Sequence, residues 1–402
     1  MNLTEFHQIR PNHELYSICD ELCFKSKNLY NAALHEFRQS YFDKDLKAIN
    51  WQIINKNFNQ SNQHDYRELP AKVSNTVIRK LGNNISSFWT LVKKSDYNKK
   101  VRLPKYLHKT EGRFMVEFNK QTFSNKRDED NNLIICKSSL NLKIPTKVEN
   151  PQQVRIIPKK WFYVIEVVYE VKEKSIKQNQ RVASIDLGLN NLATVVTNDG
   201  DNPILISGKK LKSINQYYNK MTSKKKSLLP YNVFTSKSLD RLWLKRNNKI
   251  TYEIHKITKF LANYFDERDI SKVIIGNNSG WKNGINIGRI NNQNFVNIPH
   301  ITFINQLTYK CKLLGITVIV REESYTSKTS FLDNEIPNKE TIPKGKRIKR
   351  GIFKRPNGEY VNADVNGSLQ ILSKVISTRL LEQLRKVVSS NGLALNPLKI
   401  AL

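Results

Sequence analysis

Ala183-Ser184-Ile185-Asp186-Leu187-Gly188-Leu189-Asn190-Asn191-Leu192-Ala193-Thr194 is the stretch on which the fold turns. A hydrophobic run ends in a single aspartate, Gly188 permits a tight turn, and a second hydrophobic run follows. The pattern predicts a hairpin of strands over 181–185 and 192–197, with Asp186 projecting from the sheet edge. An acid placed there offers its carboxylate to a hard cation that still reaches solvent. An ordinary turn aspartate leaves the same local signature.

Downstream the pattern is α/β. A long basic helix is expected over 236–268, with apolar positions Leu239, Leu242, Trp243, Ile250, Ile254, Ile257, Leu261 and Phe265. Val273-Ile274-Ile275 reads as a short buried strand, 300–314 as an amphipathic helix, and 316–320 as another buried strand. Asn362-Ala363-Asp364 then opens a final helix over 365–386. Upstream, Leu15, Ile18, Leu22, Leu29, Ala33 and Phe37 recur at helical spacing, as do Val73, Val77, Leu81, Ile85, Phe88 and Leu91. Between 102 and 171 short apolar runs, the strongest at 162–169, are punctuated by Asn, Asp, Pro and Lys, which suggests a small β-barrel. The expected organisation is a first barrel strand in 1–13, an inserted helical domain over 14–97, the rest of the barrel over 98–172, a polar linker over 173–180, and an α/β domain over 181–402 with a basic insert at 331–360.

The chain has 402 residues, 67 of them Lys or Arg and 35 Asp or Glu, for a formal charge of +32. With 39% hydrophobic residues it has material for sizeable cores, which excludes wholesale disorder. A surface so basic repels itself unless it meets a polyanion, and nucleic acid is the commonest. Of the four cysteines, Cys19 and Cys23 lie one helical turn apart among apolar residues and read as core; no zinc-site or disulfide spacing occurs. No secretory signal and no stretch of eighteen apolar residues is present, so no membrane partner and a cytoplasmic, nucleoid-associated location are expected.

The second candidate acid is Asp364, placed where a loop becomes a helix, which is also where a plain N-cap aspartate sits. Together Asp186 and Asp364 raise the possibility of a two-metal site, in which carboxylates hold two Mg²⁺ ions about 3.5–4 Å apart on a phosphodiester. Lys237, Arg241, Lys245, Arg246 and Lys249 mark a helix face suited to an RNA–DNA duplex, since no acid interrupts it between Arg241 and Tyr252. Lys344, Lys346, Arg347, Lys349 and Arg350 place a second basic cluster beside Asp364. Trp281, Phe295 and Tyr325 are aromatics that either stack on bases or pack in a core, and the Gly/Asn-rich segment 276–294 reads as a lid.

Ile185-Asp186-Leu187-Gly188, the helix carrying Tyr252-Glu253-Ile254-His255-Lys256, Ser324-Tyr325-Thr326-Ser327-Lys328-Thr329-Ser330, and Asn362-Ala363-Asp364-Val365-Asn366 occur in an order that resembles the TnpB family, transposon-encoded RNA-guided DNA nucleases related to type V CRISPR effectors. Leu69-Pro70-Ala71-Lys72-Val73-Ser74 extends the resemblance upstream. It implies a multidomain α+β fold: a wedge-type β-barrel with an inserted helical recognition domain, followed by a RuvC nuclease domain of RNase H-like fold. It also implies a guide RNA, target double-stranded DNA beside a short adjacent motif, and cleavage at one Mg²⁺-dependent site, with base pairing reading the sequence.

The chain departs from the family in two places. Where the family has a glutamate after the strand at 273–275, this chain has Gly276-Asn277-Asn278; Val320-Arg321-Glu322-Glu323 instead ends the next strand with two acids. Adjacent strands lie about 4.8 Å apart, so a long glutamate spans the gap. Asp186, Glu323 and Asp364 are therefore the expected metal ligands; Glu323 is preferred for abutting the Ser-Tyr-Thr-Ser turn. Glu322 is the alternative, because strand alternation points the pair to opposite faces. Second, the four-cysteine zinc knuckle of many members gives way to the basic insert, so no zinc is expected. Rival readings are a nuclease-dead, guide-dependent DNA-binding repressor and a RuvC-like nuclease that needs no guide.

Overall fold

A computed structural model describes residues 1–43, 50–94, 101–278, 298–349 and 351–402, and the chain divides into two units, Met1–Val171 and Lys172–Leu402. Trp281, Phe295, Arg350 and the expected lid beyond Asn278 lie outside the described residues.

The first unit opens with β1 (Asn2–Ile9), then the helices α1 (Tyr16–Phe42), α2 (Trp51–Gln60), α3 (His64–Arg67) and α4 (Ala71–Lys94). Strands β2 (Val116–Asn119), β3 (Leu133–Ile135), β4 (Leu142–Ile144), β5 (Pro151–Pro158) and β6 (Tyr163–Glu170) follow. β1 pairs with β6 along its whole length, from Asn2↔Glu170 to Ile9↔Tyr163, so the helices interrupt the sheet in sequence but not in space. The ladders give a four-stranded antiparallel sheet, β1-β6-β5-β2, and a separate β3-β4 hairpin; among the described residues they do not close a barrel. Cys19, Cys23, Leu29 and Ala33 from α1 meet Val73, Val77 and Leu81 from α4 and Phe118, Ile156 and Ile165 from the sheet in one core. Each fully buried large apolar side chain there contributes about 1.5–3 kcal/mol. Leu91 leaves the α4 stripe and is exposed, because the core ends before the last turn.

The second unit holds β7 (Val182–Leu187), β8 (Asn191–Thr197), β9 (Ile204–Ser207), α5 (Lys209–Lys226), α6 (Lys237–Glu267), β10 (Lys272–Gly276), α7 (His300–Leu313) and β11 (Thr317–Arg321). It continues with β12 (Lys346–Lys349), β13 (Ile352–Lys354), β14 (Tyr360–Asn362), α8 (Ala363–Ser373), α9 (Thr378–Ser390) and β15 (Leu398–Ile400). The main sheet runs β11-β10-β7-β8-β9-β15: β7, β8 and β9 form an antiparallel meander, β10 and β11 run parallel to β7, and β15 runs parallel to β9. Side chains alternate across the sheet. Ala183, Ile185 and Leu187 join a core with α6 and α7, whereas Val182 and Ile274 join a second core with α8 and α9.

Two expectations need correction. The strand at 316–320 is not buried: β11 is the edge of the sheet, covered on one side only, and Val320 is 46% exposed. The final helix is not continuous either. It breaks between Ser373 and Thr378 into α8 and α9; every residue of α8 but Asp364 and Ser373 is buried, while only Leu384 and Val388 of α9 are. The basic insert folds into a small antiparallel sheet, β12-β13-β14, anchored by the fully buried Phe353.

Candidate active site

Alternation along β7 decides where Asp186 points. Ser184, on the same face as Val182, donates its Oγ to Ser368 O at 2.7 Å, so the even residues of β7 face α8. Asp186 is the next even residue. The close fit continues at Gly367, where a Cβ would lie 2.8 Å from Asp186 Oδ2; any side chain there would push into the carboxylate.

Asp364 arrives from the first turn of α8. The N-cap is Asn362, whose Oδ1 accepts from the N–H groups of Asp364 at 3.0 Å and Val365 at 3.1 Å. That leaves the Asp364 carboxylate free of capping duty. Its Oδ2 accepts from Asn191 Nδ2 at 2.8 Å and its Oδ1 from Arg347 Nη2 at 2.9 Å. Asn366, 3% exposed, accepts from Phe331 N at 2.9 Å and donates to Thr329 O at 2.8 Å, tying the 324–330 segment to α8. The spacing Asn362, Asp364, Asn366 thus serves as cap, cavity-facing carboxylate and loop anchor in turn.

Glu323 comes from beyond β11. In the parallel register Gly276 pairs with Arg321, and Gly276 shares the α8-facing side of β10 with Ile274. A Cβ on Gly276 would lie 2.4 Å from Ile371 Cδ1 and 2.7 Å from Glu323 Oε2. Glu323 therefore fills the space that a side chain at 276 would occupy. Its backbone N–H donates to Asn278 Oδ1 at 3.1 Å, and Lys374 Nζ donates to the carbonyls on either side, Glu322 O at 3.0 Å and Ser324 O at 2.9 Å. Glu322 turns away and accepts from Ser324 Oγ at 2.6 Å.

Asp186, Glu323 and Asp364 line one cavity of about 380 Å³ together with Asn191, Asn278, Ser324, Tyr325, Ser327 and Arg347. Burial, then repulsion from Glu323 and Asp364, pushes the Asp186 carboxyl up to about 8 against the pull of Arg347. Burial pushes Glu323 up to about 7, with Lys374 opposing. Glu323 Oε2 is buried without a hydrogen-bond partner. Such an oxygen is costly unless a counter-charge meets it, so the donor set fits a hard divalent cation. The three carboxylates do not draw together within 4.8 Å of one another; the described group that does so is His64, Asp65 and Glu68 on the first unit, two of whose side chains are exposed.

Tyr325 carries a backbone cost beside these acids. Its φ is +68°, a left-handed conformation that costs a residue with a Cβ about 1–2 kcal/mol.

The basic residues divide. Lys237, Arg241, Lys245 and Lys249 are exposed along α6, but Arg246 is turned inward, its Nε and Nη2 both donating to Asn215 Oδ1 at 2.9 and 2.7 Å; it ties α6 to α5. Lys344, Lys346 and Lys349 are exposed on or beside β12, while Arg347 reaches Asp364. Arg355 is committed to Asp333 and Glu359. Trp243, expected in the α6 core stripe, is 52% exposed. Glu253 is buried and paired with Lys210 at 2.9 Å, and His255 is not among the residues that line the cavity. Sequence reasoning missed Asn191, Asn278, Gly367 and Lys374, all of which touch an acid or its backbone; only Asn191, next to the Asp186 turn, carried a local signal.

Comparison with known proteins adds kinship. The OrfB_IS605 family, described as a probable transposase, matches residues 165–282, and the Cas12f1-like TNB domain matches residues 300–371. The TnpB-like protein ORF457 of Acidianus two-tailed virus is 24% identical over 414 residues, covering 90% of this chain and 84% of that protein. Among solved structures, a Cas12f1–sgRNA–target DNA complex aligns with 92% of this chain and 98% of its own at 15% identity and a TM-score of 0.37. Alicyclobacillus acidoterrestris C2c1 in complex with single-guide RNA aligns with 90% of this chain and 70% of its own at 9% identity and a TM-score of 0.47. No described helix is long and apolar enough to cross a membrane.

Proposed function

We propose, from the premise that this chain belongs to the TnpB family, that it is an RNA-guided DNA endonuclease. In this reading a transposon-derived guide RNA pairs with target DNA beside a short adjacent motif, and one RuvC-type site cuts both strands. In this reading the domain plan is wedge, recognition and nuclease, the wedge strands lying in an open four-stranded sheet and a hairpin rather than a closed barrel. Asp186, Glu323 and Asp364 would hold two Mg²⁺ ions, and that group would supply activation of water and stabilisation of the leaving oxygen of the phosphodiester.

One observation carries this reading: a half-buried glutamate, whose Oε2 is itself buried and without a hydrogen-bond partner, occupies the space cleared by Gly276 on the same face as Asp186. A purely structural acid at that depth would be paired or replaced by an apolar residue. Around it the chain's own groups divide the work. Asn191 and Arg347 hold the Asp364 carboxylate in place, and Gly367 lets α8 approach Asp186. Lys374 clips the backbone on both sides of Glu323. The exposed lysines of α6 and β12 supply charge for nucleic-acid backbone, a contact that weakens steeply with salt through counterion release.

The test is to purify the protein from cells that also carry its flanking transposon DNA, sequence the co-purifying RNA, and offer a plasmid library with the matching target in Mg²⁺. Cleavage adjacent to one short motif is expected. Guided binding without cutting would leave the repressor reading, and cutting by RNA-free protein would leave the guide-independent one.

A further inference from the structure

Of the eight described non-glycine residues with positive φ, five are asparagines and one is an aspartate, the side chains that tolerate this region best. The other two are Cys136 and Tyr325, and only Tyr325 is aromatic. Its carbonyl is fixed by Lys328 N at 3.1 Å and Thr329 Oγ1 at 3.1 Å, so the turn holds the conformation firmly. The ring gains little packing in return: Tyr325 is 38% exposed, and among the described residues no aromatic ring or cation stacks on it. It lines the same cavity as Asp186, Glu323 and Asp364. A strained backbone that presents a part-exposed ring with no stacking partner beside three acids is the pattern of a functional site rather than of a core.

We propose that Tyr325 is a stacking platform for a nucleobase of the strand whose phosphate meets the three acids. This rests on the nuclease reading of the cavity and adds a ligand contact to it. Every base has a π-face, so such a platform grips a strand without reading its sequence. It suits a site that must accept whatever sequence base pairing has selected elsewhere. The turn also fixes the distance from ring to acids, since Tyr325 lies two residues from Glu323 on a segment that Asn366 anchors to α8.

The experiment uses the full-length protein with its co-purified RNA and a short single-stranded DNA carrying 2-aminopurine at successive positions, with Ca²⁺ in place of Mg²⁺ to suppress cutting. Quenching at one position is expected for the natural protein and for Tyr325→Phe. Tyr325→Leu should abolish the quenching and weaken strand binding by roughly five- to a hundred-fold, the range of one base–aromatic stack. Tyr325→Gly should lose the quenching too, yet melt at the same temperature or up to about 4 °C higher, because glycine accepts the left-handed conformation without strain. Equal quenching and affinity in Tyr325→Leu would overturn the proposal, as would a clear fall in melting temperature for Tyr325→Gly, which would make the ring a packing element. A natural protein that binds no strand and quenches at no position would instead overturn the nuclease reading beneath it.

Discussion

In the first unit Asp20 accepts Nε and Nη2 of Arg113 at 2.8 and 2.9 Å and the hydroxyl of Tyr163, and Glu117, 5% exposed, has Lys80 at 2.9 Å and Arg79 at 3.3 Å. In the second unit Asp186 and Glu323 make no ion pair among the described residues, and their carboxyls are pushed up rather than down. The contrast separates two uses of an acid. Where a carboxylate fastens one element to another, the fold brings its cation from the same chain, and the Arg113 hydrogen bonds hold Asp20 below the usual carboxylate range. The proposed ligands Asp186 and Glu323 have no such cation and bear the cost of desolvation, whereas the third, Asp364, is met by Arg347.

The contrast is broken most directly at Asp186. Asp186→Ala should lower plasmid cleavage by roughly 10³-fold or more while leaving guide RNA and guided DNA binding intact, since it removes a ligand and not the basic surface. Gel-shift and cleavage assays on the same preparation check this; equal loss of binding would place Asp186 in the scaffold. Next in size is Gly276→Ala. Its methyl would meet Ile371 and Glu323, so a stability loss of about 1–3 kcal/mol and a drop in cleavage are expected in thermal melts and rate assays. Undiminished cleavage would mean that Glu323 does not need the space.

Asp20→Asn sharpens the other side. Removing a charge-assisted bidentate contact should cost about 1–2 kcal/mol, less than a fully buried pair because the site is partly open to solvent. Asp20 titrates lower in the folded chain than in the unfolded one. Its contribution is therefore present above about pH 4 and lost as pH falls below that. Denaturant melts at pH 7 and pH 3 should show the gap between the Asn variant and the natural protein narrowing at the lower value.

The last effect has the opposite sign. Asp186 and Glu323 titrate at about 8 and about 7 in the folded chain, above their unfolded values. Protonated acids are tolerated, so this contribution is intact below about pH 4 and is lost as pH rises through about 7 to 8. In metal-free buffer Asp186→Asn and Glu323→Gln should therefore melt higher than the natural protein at pH 8 and no higher at pH 4. A Gln variant that melts lower at pH 8 would show that Glu323 is a structural acid like Asp20.

Several elements were legible because their cause is local. The hairpin around Asp186, the helical stripes of α1 and α4, and the α6 helix follow from periodicities of two and 3.6 residues that need no tertiary partner. Trp243 and Leu91 fit the α6 and α4 stripes and still face solvent, since a stripe gives a direction and not the extent of what lies opposite. The short strands β9, β12 and β15 were illegible for a related reason. Three or four residues such as Lys346–Lys349 carry too little pattern, and only a neighbouring strand makes them a ladder.

By itself the sequence determined the basic character of the chain, the order of its elements, and the fact that Asp186 and Asp364 each sit where an element begins or ends. These are properties of composition and of spacing along the chain. Only the tertiary structure decided that Asn362 caps α8 so that the Asp364 carboxylate faces the cavity, that Arg246 ties two helices while Arg347 reaches Asp364, and that Glu323 rather than Glu322 enters the cavity. The reason is physical: residues 186, 276, 323 and 364 meet only through the parallel register of β10 with its two neighbours and the packing of α8 across them. Contacts between residues so far apart are fixed by which surfaces fit together, a property that no local stretch of the chain contains.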